Sequence, residues 1–224
     1  MTSLDERISN LESGRLFVAP ISDALNKTFL LKKRSSVIPA LAVEFQGVNY
    51  LISHAPLYNA TEIRINGKFL KISSYARYLG RNSTYGICVY KVLSSALPVF
   101  PWFTDTLYEG QSVFSVGPHT MGLTLETLSF GVADGIVSKT ERDLSTNIGD
   151  EYIQHTAEMF HSLYGSSILH TFGPLFTIKN EQPYLIGLNS TFGYIDNNDP
   201  SYIGVTFAHS RKNIELAIQN IIGG

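Results

Sequence analysis

From about Val37 to Phe207 the chain is a succession of short apolar runs rich in Val, Ile, Phe, Tyr and Thr, cut about every 8–12 residues by clusters of Gly, Asn, Pro or Ser. β-branched and aromatic side chains suit a pleated, half-buried surface. The pattern predicts an all-β barrel or sandwich. Asn66-Gly67, between "TEIRI" and "KFLKIS", is a two-residue hairpin signal, because a type I′ turn needs positive φ at both central residues. Only the ends read as helix. "SRKNIELAIQNIIGG" puts Ile214, Ala217, Ile218 and Ile221 on one face, starts from a capping Ser210 and stops at Gly223, which predicts a helix over 210–222 docked on the sheet. At the other end "SLDERISNLESG" carries Leu4, Ile8 and Leu11 at helical spacing before Gly14. Residues 1–35 are therefore expected to be an arm with a short helix, and residues 36–224 a single β domain.

Length and charge exclude several classes. The 224 residues, 44% hydrophobic and 16% charged, are enough to bury a substantial core. A formal charge of -2 and no Lys/Arg run longer than Lys32-Lys33-Arg34 argue against a nucleic-acid partner. No apolar stretch approaches the roughly 18 residues of a membrane span, and the polar N-terminus is unlike a signal peptide. A single cysteine, Cys88, rules out an internal disulfide and fits a reducing compartment, so an intracellular location, cytoplasmic or nuclear, is expected.

Four stretches, in order, resemble the protease domain of the HtrA (Deg) branch of trypsin-like serine proteases. "ALAVEFQGVNYLISHAPLYNATEIRI" is similar to the segment that carries the family's catalytic histidine, and "GICVYKVLSSALP" to the one that carries its aspartate. "LYEGQSVFSVGPHTMGLTLETLSFGVADGIVSKTERD", with Gly110, Gly117 and the "GIVS" of Gly135 to Ser138, follows the long hairpin between them and the nucleophile. "YIQHTAEM", "FGPLF" and "LIGLNS" resemble the strands around the nucleophile. The resemblance implies two six-stranded antiparallel β-barrels in the chymotrypsin fold, with the active site between them.

A serine protease needs a hydroxyl nucleophile, an imidazole to take its proton and a carboxylate to fix the imidazole tautomer. In the family's register Ala55 stands at the histidine position and His54 one residue early. A one-residue slip on a strand end reverses the side chain, so His54 would need a bulge to enter the cleft. Gly86 stands at the aspartate. Anchoring on Gly173-Pro174-Leu175 makes Thr171 the nucleophile equivalent, with Leu169 and Phe172 where the family has glycines that shape the oxyanion hole. Alternatively Gly165-Ser166-Ser167 supplies the nucleophile as Ser167, in a loop longer than the family's. Loss of a triad costs on the order of 10⁴–10⁶ in rate, and what remains depends on an intact oxyanion hole. The resemblance thus implies a pseudoprotease with no catalytic residues expected. The remaining candidates are His54 or His170 as base and Ser167 or Thr171 as nucleophile.

No metal or other cofactor is expected. His54, His119, His155, His161, His170 and His209 contain no HxxxH pair, Cys88 has no CxxC partner, and neither GxGxxG nor GxxxxGK[ST] occurs. The expected role is a protein-binding or scaffold module without membrane or nucleic acid. The resemblance implies recognition of an extended peptide by strand addition, and self-assembly as a homo-oligomer.

Overall fold

The computed structural model describes residues 15–34, 36–54, 57–119, 129–142, 152–157, 173–190 and 206–224. The helix expected around Leu4, Ile8 and Leu11 lies outside them. A helix not foreseen from the sequence, α1 (Arg15–Lys27), leads into β1 (Thr28–Lys33), so the β pattern begins before Val37. β1 pairs antiparallel with β2 (Ser36–Phe45) in one hairpin, and the expected boundary at 35/36 falls inside it.

The first sheet runs through β3 (Val48–His54), β4 (Glu62–Ile65), β5 (Lys68–Lys71), β6 (Ala76–Asn82), β7 (Ile87–Val92) and β8 (Val99–Phe100), in spatial order β5-β4-β1-β2-β3-β7-β6. β2 holds it together by serving three neighbours. Ser36 to Leu41 pair with β1, Ala40 to Phe45 with β3, and Ala42 and Val43 with the parallel strand β8. The sheet curls without closing among the described residues, where a closed six-stranded barrel was expected. The hairpin at Asn66 (φ 49) and Gly67 (φ 78) joins β4 to β5 as predicted.

The second unit does close. β9 (Ser112–His119), β10 (Ser129–Arg142), β11 (Tyr152–His155), β12 (Pro174–Lys179), β13 (Gln182–Ser190) and β14 (Thr206–Ser210) form a barrel in the order β10-β11-β14-β13-β12-β9. β10 makes closure possible: its first half pairs with β9, then register shifts after Val137 and Lys139 bend it onto β11. The C-terminal helix α2 (Arg211–Ile222) follows as predicted. Ser210 has the extended backbone of an N-cap, but its side chain makes no capping hydrogen bond; Gly223 ends the helix with a right-handed backbone.

Two cores result. Leu31, Ala40, Ala42, Leu51, Cys88 and Tyr90 fill the curled sheet. A larger cluster lies between the units and joins Ile52, Ile87, Val89 and Phe100 of the first to Phe114, Phe176, Leu185 and Leu188 of the second, with Ala24 of α1 and Ile214 and Ile218 of α2. The Val99 to Phe103 connection runs through it, and Trp102 bridges to Leu185. Burial of a side chain such as Phe100 or Leu188 is worth about 1.5–3 kcal/mol, so this cluster fixes one barrel on the other.

Candidate active-site cleft

Along β3 the side chains of Tyr50 and Ile52 face the inter-barrel cluster and Leu51 faces the sheet interior. Strand alternation puts His54 on the inter-barrel side with Tyr50 and Ile52. It stands there without the bulge that the family's register would have required: β3 and β7 pair without a break from Tyr50↔Lys91 to His54↔Ile87. His54 is 5% exposed, a packed residue of the cleft wall.

Its ring lies against Gly86. Gly86 has φ +62, and a Cβ added there would come 3.0 Å from His54 Cε1 and 3.4 Å from Nε2. A side chain at residue 86 would therefore start in tight contact with the imidazole. Tyr85, next along the chain, puts its ring 6.0 Å from that of His209 on β14, edge to face at 79°. His209 in turn lies 5.0 Å from Tyr152, its cross-strand partner on β11. Aromatic contacts therefore line the cleft across both barrels. His209 is fully buried, and burial pushes its imidazole down to about 4, against the backbone of Tyr85, which works the other way.

Behind this wall, inside the closed barrel, runs a second polar chain. His155 Nε2 meets Asn189 Oδ1 at 3.0 Å, Asn189 Nδ2 donates to Ser115 Oγ at 3.0 Å, and Ser115 Oγ donates to the Ala157 carbonyl at 3.2 Å. All three side chains are fully buried. Since the Asn189 amide oxygen accepts, His155 carries its proton on Nε2. Burial holds its pKa at about 4, Asn189 pulling the other way. His155 and Asn189 come from "YIQH" and "LIGLNS", two of the stretches that carry the resemblance. Their pairing was not legible because strands β11 and β13 are not sequence neighbours.

Of the other candidates, Ala55, Ser167, His170 and Thr171 lie outside the described residues, as do Leu169, Phe172 and His161. The structure brings together Gly86 and His54 only. Cys88 is buried in the first sheet, and burial pushes its thiol up to about 11, so it is no nucleophile at neutral pH. Among the described residues no three His, Cys, Asp or Glu converge as metal ligands, and no helix is long and apolar enough to cross a membrane.

No family model and no curated protein matches the sequence. Solved structures do match its shape. The HtrA-type protease AlgW with tripeptide superposes with a TM-score of 0.63 over 93% of this chain, at 20% identity. Rv3671c from M. tuberculosis H37Rv, a serine-to-alanine mutant in an inactive form, gives 0.63 over 96% of this chain at 10% identity. The fold is that of an HtrA-type, trypsin-like protease domain. The chain spans 64% of the AlgW chain and 93% of the Rv3671c chain. Between the two units of this fold stand His54, Gly86, Tyr85, His209 and Tyr152.

Proposed function

We propose that this chain is a protease homologue that has lost catalysis and serves as a protein-binding or scaffold module. One observation carries the reading: Gly86, which the resemblance sets at the family's aspartate, offers no carboxylate, and a Cβ there would come 3.0 Å from the His54 ring. The single buried thiol of Cys88 supports work in a reducing compartment.

One feature favours an alternative, an atypical serine endopeptidase with Ser167 or Thr171 as nucleophile: His54 lies on the inter-barrel side of its strand, where a general base would be needed. Incubation with a serine-reactive fluorophosphonate, read by intact mass beside a digest of unfolded casein, separates the two. The inactive reading expects no adduct and intact casein from folded protein. An adduct abolished by Ser167→Ala or Thr171→Ala, with casein cut, would establish the endopeptidase.

A further inference from the structure

The formal charge of -2 conceals two halves of opposite sign. Residues 28–100, which build the first sheet, hold nine Lys or Arg against two Glu, a formal +7; residues 101–224 hold five against thirteen Asp or Glu, a formal −8. Charge asymmetry of this size acts on partners rather than on the fold. The two acids of the first half are already placed. Glu62 pairs with Lys32 at 2.8 Å, and Glu44 lies at the end of β2, where its carbonyl accepts from Trp102 Nε1 at the joint with the second barrel. The rest of that surface is cationic.

Two groupings stand out. On the outer face Arg77 and Lys91 are direct cross-strand partners, both exposed, although like charges in that position weaken a sheet. At the end of the sheet Tyr58, 45% exposed, has Lys33 Nζ 4.2 Å and Arg81 Cζ 4.7 Å from its ring centroid. Lys33 also donates to the Tyr58 carbonyl at 3.0 Å, which fixes the ammonium beside the ring. No carboxylate among the described residues forms an ion pair with Lys33 or Arg81. The cluster borders the cleft: Arg81 pairs with Cys88, and the next row is Asn82, Ile87 and His54.

We infer that this end of the first sheet binds an acidic segment of a protein partner, whose carboxylates are taken by Lys33 and Arg81 around Tyr58. The inference rests on the protein-binding reading above for the class of partner, and names its chemistry. A short acidic peptide fits better than nucleic acid, because the cations lie on both faces and on the far edge strand β5 rather than in the single track that a long polyanion follows. An ammonium held by a carbonyl and a guanidinium held over a phenol keep donors free for a carboxylate, and charge-assisted hydrogen bonds of that kind are the strong ones.

The test uses the full chain and fluorescence anisotropy at about 50 mM salt, where screening is modest. The probes are a labelled Glu-Ser repeat peptide, its Gln-Ser counterpart and a single-stranded DNA of equal charge. The Glu peptide is expected to bind at least about tenfold more tightly than the Gln peptide and than the DNA, and to weaken as salt rises. Lys33→Ala with Arg81→Ala should lose about tenfold, and Lys68→Ala with Lys71→Ala, the same charge removed at β5, about twofold or less. Equal losses in the two variants, equal binding of the Glu and Gln peptides, or tighter binding of DNA would each overturn the inference. Peptide mass after incubation keeps the readings apart: a bound but cut peptide contradicts the loss of catalysis and leaves the acidic site standing.

Discussion

Gly86 and the His54 ring lie in direct contact: at φ +62, a Cβ at residue 86 would come 3.0 Å from Cε1 of the imidazole. Gly86→Asp and Gly86→Ala both face a left-handed backbone and an occupied volume, and each should cost about 1–3 kcal/mol of stability by urea unfolding. Adding His54→Ala to Gly86→Ala should recover the steric share, so the two changes are non-additive. Additive losses in the double-mutant cycle would mean that the ring is not what fills the space.

The two buried histidines of the second barrel predict how the protein responds to acid. His155 and His209 each have a folded pKa near 4 against 6.5 in the reference state, because burial disfavours the charged ring. Above pH 6.5 both are neutral in either state, and their contribution is fully present. As pH falls from 6.5 towards 4 the unfolded chain binds protons that the folded chain refuses, and stability is lost at up to about 1.4 kcal/mol per pH unit for each histidine. Urea midpoints between pH 4.5 and 7.5 should show this slope. His155→Gln should flatten it by one proton, whatever it does to stability at pH 7.

Asn189 holds the middle of the buried chain, giving Nδ2–H to Ser115 and accepting from His155. Asn189→Ala leaves His155 Nε2–H without its acceptor and takes from Ser115 Oγ the bond it accepts, and an unsatisfied buried polar group costs about 1–3 kcal/mol. A total loss of about 2–5 kcal/mol is expected. Ser115→Ala in that background should cost less than it does alone, because its partner has already gone; chemical denaturation of the four proteins in the cycle checks this.

What was legible in the sequence followed from local rules. The Asn66-Gly67 turn and the apolar stripe of α2 each satisfy a constraint written within a few residues, and both stand in the structure. The open first sheet did not follow, because its curvature depends on β2 sharing itself among three strands, a pairing that no local pattern records. His54 shares its face with Tyr50 and Ile52 through unbroken strand alternation, which the comparison with Ala55 alone did not bring out. The cationic first half was hidden by averaging, since the acids that cancel it belong to the other barrel.

The motif glycines make a last prediction, about what keeps the strand pattern behind the resemblance in place. A Cβ at Gly173 would collide with the Val116 carbonyl oxygen, and one at Gly187 would lie 2.6 Å from that of His209. Both contacts are backbone, which cannot turn aside as a side-chain tip would. Gly173 also accepts from the Asn189 N–H at 2.9 Å, so it joins β12 to the strand that carries the polar chain. These glycines permit strands to approach, a need of the barrel and not of a reaction. Gly173→Ala and Gly187→Ala should each cost more than about 2 kcal/mol or abolish folding, while Gly67→Ala, at a turn with nothing within 4 Å, pays only for its positive φ at about 1–2 kcal/mol. Soluble yield and thermal melting of the three variants decide it, and a Gly173→Ala protein as stable as the parent would show that the strand approach is not what holds that glycine in place.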